Sequence, residues 1–390
     1  MSRPTWKALF TAGRVLLAAA LLAWVLGRVH WRDYVMRGGE SYAVLAPPGT
    51  GAPGQLLIDA GSVWSRTPEW RPAQQFEPVA PGRADVVRRG IASSAVGLDW
   101  AWMAGAILCT FAATLAASLR WRILLGVQGI EIPVKTVFQL NFLGEAFSTV
   151  MPGILGGDLV KAYYVARGRP GKARVLVSLF VDRLMGVCGF TAFAGVMLAV
   201  AWLAGLMDPA SLRAPAVSVA AVVVGGTAAL LLLSSPPLRR RLGLERLYRR
   251  LPFAAHLAAA GDAAARYRRG GGSLLRAAGV TVAAQALGIA SIALAGLALG
   301  LPVAWYSYVL YVPLILILTA VPVTPGGVGV MEELYVVYLA GSAGPSMALA
   351  LALLARLMML LSAAPGLAIY ALGPRLPEPE AVRAELDAQR

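Results

Sequence analysis

Long apolar runs separated by short polar segments dominate the pattern of the chain. The runs reach or approach the roughly 20 residues that a helix needs to cross a bilayer, and they cover 12–29, 98–119, 176–204, 215–234, 277–300, 303–323 and 346–373. Two further regions, 135–165 and 317–341, are apolar but contain proline and glycine. If the second of these also crosses, the pattern predicts an all-α polytopic membrane protein with about eight transmembrane helices and two broken or re-entrant helix regions.

Residues 30–96 depart from this pattern. They are rich in proline and glycine, and the stretches SYAVLAPPG (41–49) and QLLIDAGSVW (55–64) are typical of short strands. We therefore expect a small extracytoplasmic insertion with β structure. The predicted organisation is an N-terminal transmembrane helix (1–29), the insertion (30–96), a transmembrane domain (97–373) and a cytoplasmic tail (374–390).

Composition supports a membrane protein. Apolar residues make up 58% of the chain and charged residues 14%, and the mean hydropathy is +0.67, far above the soluble average. Cys109 and Cys188 both lie in apolar helices, and His30 and His256 have no ligand-like companions. We expect no disulfide framework, no metal site and no cofactor.

The net charge of +15 is best interpreted by location. Basic residues cluster at 120–122, 167–174 and 235–276, and the last of these holds ten arginines. Under the positive-inside rule these segments are cytoplasmic. The rule predicts a multi-pass protein of the cell (inner) membrane with both termini in the cytoplasm, and gives no reason to expect a nucleic-acid partner.

The basic stretch LRRRLGLERLYRRLP (238–252) has two interpretations. It is either an orientation signal with a solvated basic face or an interfacial helix on an anionic bilayer surface, where each basic residue adds about 1 kcal/mol. The candidate lipid-surface residues are Arg239, Arg240, Arg241, Arg249 and Arg250.

The first broken region contains MPGILGGD (151–158). Pro152 removes a backbone donor, and Gly156 and Gly157 disfavour a continuous helix. We predict a helix to about Val150, a bend, and a new helix starting near Asp158, whose carboxylate can accept from free N–H groups there. Irregular backbone at membrane depth must be buried in protein or line a watery cavity. The alternative is a plain cytoplasmic loop with Asp158 as an ordinary helix cap.

Polar side chains accompany this break. Asn141, Glu145 and Lys161 flank it, and Asp182 and Arg183 lie inside the next span. A charged residue at a helix centre costs about 2.5–3.5 kcal/mol on insertion scales, although Arg183 could also extend to the interface. Adjacent residues on a helix do not face each other. The expected partners therefore come from other segments: Lys161 for Asp182, and Asp158, Glu145 or Glu332 for Arg183.

The second broken region, VPVTPGGV (321–328), has the same spacing of proline and glycine. Pro322, Pro325, Gly326 and Gly327 are predicted to end one helix, and a short helix of about 14 residues carrying Glu332 follows. A repeated break is typical of two-halved transporters, in which the N-termini of half-helices face an anionic group. A phosphate is the natural candidate.

Four stretches together resemble a known family. They are SLRWRILLGVQGI, NFLGEAFSTVMPGILGGDLVKAYYVAR, VSLFVDRLMGV and PVTPGGVGVMEE. In this order and spacing they are similar to the flippase-like integral membrane family, the transmembrane region of lysylphosphatidylglycerol synthases. The resemblance covers roughly 97–373. It implies an all-helical bundle and a role in moving lipids or lipid-linked precursors between leaflets.

The family pattern falls on a defined set of positions. Lys161 stands where a basic residue, often arginine, is usual, and the other matching residues are Asn141, Pro152, Gly156, Gly157, Asp158, Asp182, Arg183, Pro325, Gly326, Gly327 and Glu332. The insertion at 30–96 is longer than the connection in many members. Only a polar tail follows residue 373, so we expect no soluble aminoacyl-transferring domain and no synthesis of lysylphosphatidylglycerol by this chain.

The leading hypothesis is a translocator of a phospholipid or polyprenyl-linked lipid that binds an anionic headgroup between the broken helices and is not an enzyme. No GxxxxGK[ST] loop is present, which argues against ATP-driven pumping. One rival is an intramembrane enzyme acting on a lipid phosphate, with Asp158, Asp182 or Glu332 as acid, base or metal ligand. Another is a membrane partner of a separately encoded lipid synthase or glycosyltransferase.

Overall fold

The computed structural model describes most of the chain. The described residues are 30–38, 40–46, 50, 52–60, 67–78, 86–88, 90–150, 156–167, 172–234, 271–321 and 323–372, together with residues 16, 20 and 23. The predictions for Pro152, Pro322, the arginines of 238–252 and the tail 374–390 lie outside this set, as does nearly all of the first predicted span.

The insertion contains β structure, as predicted. Its strands are β1 (Tyr34–Arg37), β2 (Glu40–Ala43), β3 (Gln55–Asp59) and β4 (Pro68–Pro72). β1 pairs with β2 and β3 with β4, both antiparallel. An isolated bridge between Val44 and Ile58 joins the two hairpins. The alternation of side chains places Val35, Leu56 and Ile58 in a small core against Phe76.

The rest of the described chain is mainly helical. Their bounds are α1 (Ile91–Val96), α2 (Trp100–Val127), α3 (Val134–Val150), α4 (Gly156–Ala166), α5 (Lys172–Leu203), α6 (Pro209–Ser234), α7 (Gly271–Ala298), α8 (Trp305–Thr319), α9 (Val330–Ala343) and α10 (Pro345–Leu372). Short 3₁₀ turns occur at Ala73–Gln75 and Pro325–Gly327.

Five of the described helices are long and apolar enough to cross a membrane, namely α2, α5, α6, α7 and α10. The predicted span 303–323 contains the 15-residue helix α8, which is shorter than expected. Helix α9 has the 14 residues predicted after the second break. The described residues thus show a polytopic helical membrane protein, and the count of about eight crossings stays a prediction.

The chain divides into two compact units. The first unit comprises Met1–Ala104, Leu294–Val303 and Val328–Ala355. Within it, the insertion is attached to helix ends. The backbone N–H of His30 donates to Ser346 Oγ at 3.1 Å, and that of Asp99, which follows the insertion in the chain, donates to the Ala298 carbonyl at 2.9 Å. The β-rich insertion is therefore fixed to the helical residues of its own unit.

The second unit comprises Gly105–Ala293, Ala304–Gly327 and Arg356–Arg390. Helix α3 packs on α4, and α8 packs on α5. A buried apolar cluster around Trp121 joins α2, α3, α4 and α5 through residues including Leu125, Leu140, Val165 and Leu179. Burial of this apolar surface holds the elements that carry the predicted charged residues.

Candidate functional site

Helix α3 ends at Val150 and α4 begins at Gly156, which confirms the two helix limits predicted for the first broken region. Gly157 lies against α3 so closely that a Cβ atom there would collide with the Gly144 carbonyl oxygen. Glycine at both positions lets the two backbones meet. This close contact holds the first turn of α4, which carries Asp158, against α3.

Asp158 lies between two cations. Its Oδ2 accepts a hydrogen bond from Arg183 Nε on α5 at 2.7 Å, and its Oδ1 lies 3.5 Å from Lys161 Nζ one turn along α4. The Asp158 side chain is only 9% exposed. The structure thus shows the pair Asp158–Arg183, one of the three that the sequence allowed.

Arg183 differs from its partners in exposure. Its side chain is 52% exposed, whereas that of Lys161 is 11% exposed. The hydrogen bond of Arg183 to the described part of the chain uses Nε. Within that part, its two terminal nitrogens have no hydrogen-bond acceptor. An arginine held at Nε presents a fixed pair of donors to an incoming anion.

Trp121 and Gly144 both constrain the side chain of Lys161. Its Nζ lies 5.5 Å from the centroid of the Trp121 ring, a cation–π geometry. The stem of Lys161 passes over Gly144, where a side chain would collide with it. The indole of Trp121 donates to Ser178 Oγ at 3.3 Å. These contacts keep the ammonium group next to Asp158.

The prediction that Lys161 pairs with Asp182 is wrong. Asp182 accepts from Arg120 on α2, with Nε–Oδ1 at 2.6 Å and Nη2–Oδ2 at 3.1 Å. The sequence indicated that Arg120 sits at a cytoplasmic helix end, but α2 continues to Val127 and the arginine is buried. The apolar stretch ILLGV (123–127) after it was the signal of a longer helix.

Two other predicted residues, Asn141 and Glu145, lie on α3. Asn141 Nδ2 lies 3.4 Å from the Thr114 carbonyl oxygen, a long hydrogen bond. The carboxyl group of Glu145 faces the hydroxyl groups of Thr114 and Ser362 and lies within electrostatic range of Lys161 and Arg183. The structure therefore brings Glu145 to the region of Asp158, whereas the described contact of Asn141 is with α2.

The residues of the second broken region form a separate arrangement. Pro325–Gly327 is a 3₁₀ turn in which Gly326 and Gly327 have positive φ angles of 61° and 66°. Arg356 on α10, which the sequence had not indicated, donates to the carbonyl oxygens of Gly326 and Gly327 at 3.2 Å and 3.3 Å. These bonds satisfy carbonyl groups that the turn leaves without helical partners.

Glu332 lies in the first compact unit. Its carboxylate accepts from the backbone N–H of Gly329 at 2.8 Å, so it caps the start of α9. It is 1% exposed. The pairing with Arg183, one of three alternatives, is not the one that the structure shows, since Arg183 bonds to Asp158. The place of Glu332 on a lipid path remains a prediction.

Among the described residues, no three His, Cys, Asp or Glu side chains converge on a point where they could hold a metal ion. The charged cluster consists of Arg120, Glu145, Asp158, Lys161, Asp182 and Arg183, all in the second unit. Buried charges of both signs within apolar helices are typical of sites that handle a polar group at membrane depth.

Several long apolar helices with such a charged cluster define an integral membrane protein. The model of the family described as the lysylphosphatidylglycerol synthase transmembrane region matches residues 88–366, and the chain belongs to this family. The match contains the whole charged cluster and indicates a membrane protein with a lipid-related role. A search of curated proteins returned no match.

Proposed function

We propose that the protein translocates a phospholipid or a lipid-linked precursor and binds the anionic headgroup at Arg183. The observation that carries this proposal is the exposure and hydrogen bonding of Arg183. It is half exposed, fixed through Nε to a buried carboxylate, and has two terminal nitrogens that donate to no described residue. A phosphate oxygen pair matches the spacing of such donors.

Lys161 increases the positive charge next to the proposed anion site. It adds a second positive charge on the opposite oxygen of Asp158. The first turn of α4 adds the partial positive charge of a helix N-terminus. The three features act on the same small region of the second unit. We infer that the headgroup phosphate binds Arg183 and is further stabilised by the positive charge of Lys161 and by the N-terminus of α4.

The depth of the site favours movement across the bilayer over binding at its surface. Arg183 is the eighth residue of the predicted span 176–204, about 10 Å along the helix axis from the start of that span. A headgroup there has left the aqueous phase, while the exposed apolar side chains of α5, such as Phe180 and Leu184, leave room for acyl tails in the lipid. The end of α3, the start of α4 and the turn Pro325–Gly327 are proposed to let short helical segments shift as the headgroup passes.

The basic segments 167–174 and 235–276 support a cytoplasmic position for the N-terminal end of α5. Trp202, at the other end of α5, and Trp305, at the start of α8, are both exposed. Tryptophan at helix ends is typical of the membrane interface. The proposed topology places these two helix ends at the outer surface of the cell membrane and both chain termini in the cytoplasm.

Transport in reconstituted vesicles tests the proposal. The purified chain is incorporated into vesicles with a trace of fluorescent phosphatidylglycerol, and movement between leaflets is followed by chemical quenching of the outer leaflet. We expect Arg183→Gln to reduce the rate at least tenfold. Arg213→Gln, at an exposed arginine near the start of α6, is the matched control and should leave the rate unchanged.

Two outcomes contradict the proposal. If the folded Arg183→Gln variant moves lipid at the wild-type rate, the headgroup does not use this arginine. If the lipid recovered from the vesicles is chemically changed in a metal-dependent way, the chain is an enzyme, which was the first rival hypothesis.

A further inference from the structure

We propose that the site selects a lipid with a monoanionic phosphodiester headgroup over one with a dianionic phosphate monoester, and that Asp158 sets this selection. The inference rests on the proposed function, since it concerns the headgroup bound at Arg183. It follows from the charge count around that arginine and from the position of Asp158.

The carboxylate of Asp158 is already paired with both cations before a lipid binds. Each of its carboxylate oxygens faces one of them, Oδ2 facing Arg183 Nε at 2.7 Å and Oδ1 facing Lys161 Nζ at 3.5 Å. The side chain is buried, so it cannot turn away into solvent. A phosphate bound to the terminal nitrogens of Arg183 therefore shares one guanidinium group with a second anion. Like charges about 4–6 Å apart oppose each other strongly when they are shielded from water.

The count of charges limits what the site can neutralise. Arg120 is paired with Asp182 through two contacts and contributes no surplus. The other two cations, Lys161 and Arg183, face Asp158 and also lie within range of Glu145. Among the described residues, two cations with one or two carboxylates leave a surplus of at most one positive charge, whichever form Glu145 takes.

A phosphodiester carries one negative charge and matches that surplus. A phosphate monoester carries about −1.5 to −2 at neutral pH, so part of its charge would be placed without compensation in a region shielded from water. Such a charge is costly. Asp158→Asn keeps the size of the side chain and an oxygen for Arg183 Nε, but raises the surplus by one. The monoester should then become acceptable.

Binding of two matched lipids tests this. Phosphatidylmethanol and phosphatidic acid with identical acyl chains differ by one methyl group, which removes the second charge. Their dissociation constants for the full chain in nanodiscs of neutral lipid are measured at pH 8 by competition with a fluorescent phosphatidylglycerol. We expect the wild type to bind phosphatidylmethanol at least tenfold more tightly. Asp158→Asn should reduce this ratio at least tenfold, mainly through tighter binding of phosphatidic acid.

Three further variants keep the result interpretable. Asp208→Asn, in the loop between α5 and α6, should retain the wild-type ratio. Lys161→Gln removes one cation and should increase the preference for phosphatidylmethanol. Arg183→Gln should weaken binding of both lipids.

The outcomes separate the two proposals. If the wild type binds both lipids equally, or if folded Asp158→Asn retains the wild-type ratio, the selection by Asp158 is refuted. The proposed function survives that result as long as Arg183→Gln weakens both lipids. If Arg183→Gln binds both lipids like the wild type, the proposed function itself fails. If Asp158→Asn does not fold, the wild-type ratio still tests the selection, and an unchanged ratio in folded Lys161→Gln would refute its dependence on the charge count.

Discussion

Among the described residues of the second unit, the pair between Arg120 and Asp182 should make the largest electrostatic contribution to stability. Their side chains are 10% and 15% exposed, and two nitrogen–oxygen contacts of 2.6 Å and 3.1 Å join them. With charge centres about 4 Å apart and an effective dielectric constant near 20, the attraction is about 4 kcal/mol. Asp182→Asn leaves the Arg120 charge buried and unpaired, so we expect a loss of about 3–5 kcal/mol in the free energy of unfolding.

A double variant separates the lost attraction from the cost of the remaining charge. Arg120→Met with Asp182→Leu removes both charges and replaces them with apolar groups of similar size. Because neither partner is then stranded, this double variant should recover most of the stability that Asp182→Asn loses. Arg213→Gln, which changes an exposed arginine, should stay within about 0.5 kcal/mol of the wild type.

Unfolding in mixed micelles, titrated with sodium dodecyl sulfate and followed by circular dichroism, measures these differences. If Asp182→Asn unfolds within 0.5 kcal/mol of the wild type, the pair is not shielded in the way the structure indicates. A double variant that is less stable than Asp182→Asn would also refute the reasoning, since it would show that the pair itself, and not the stranded charge, determines stability.

Two further predictions concern packing and pH. Gly157→Ala should lower the free energy of unfolding by about 1–3 kcal/mol in the same titration, because its methyl group would collide with the Gly144 carbonyl oxygen. The control Gly195→Ala, whose methyl group would meet open space on α5, should be neutral or stabilising. Equal losses in the two variants would contradict the close approach of α3 and α4. Burial lowers the pKa of His30 in the folded insertion. Unfolded chains therefore bind more protons below about pH 6.5. The contacts of the insertion should be at full strength above that pH and weaken toward pH 5.5, seen as faster hydrogen exchange in β1 and β2 after correction for intrinsic rates. His30→Gln should remove the pH dependence, and its persistence in that variant would assign the effect elsewhere.

The strands show what the local sequence pattern predicts and what it does not. The stretch QLLID alternates in burial as a half-buried strand should, and it forms β3. The stretch PEWRP forms β4, although proline at both of its ends argues against a strand. The structure explains this exception. Among the described residues β4 pairs with β3 alone, and a proline at the end of an edge strand has no ladder bond to lose.

The helices show a similar division. Apolar length predicted α2, α5, α6, α7 and α10, and the proline–glycine content around 151–157 predicted where α3 and α4 end and begin. The positions of the helix ends were predicted less accurately. The pair Arg120 and Arg122 suggested that α2 stops there, because charged residues usually mark the membrane boundary. Buried pairing with Asp182 removed the reason for that charge to lie outside.

The sequence by itself determined the class of protein, its family, most of the helical segments and five of the six residues of the charged cluster, all except Arg120. These properties depend on local composition, length and motif. Only the tertiary structure decided which charges meet. Asp182 pairs with an arginine 62 residues away and Asp158 with one 25 residues away, and helix packing, set by glycine contacts such as Gly144–Gly157 and by the apolar cluster around Trp121, brings these partners together. The half-exposed arginine that remains open to an anion is a product of that packing, since the sequence assigns the same charge to Arg120, Lys161 and Arg183 alike.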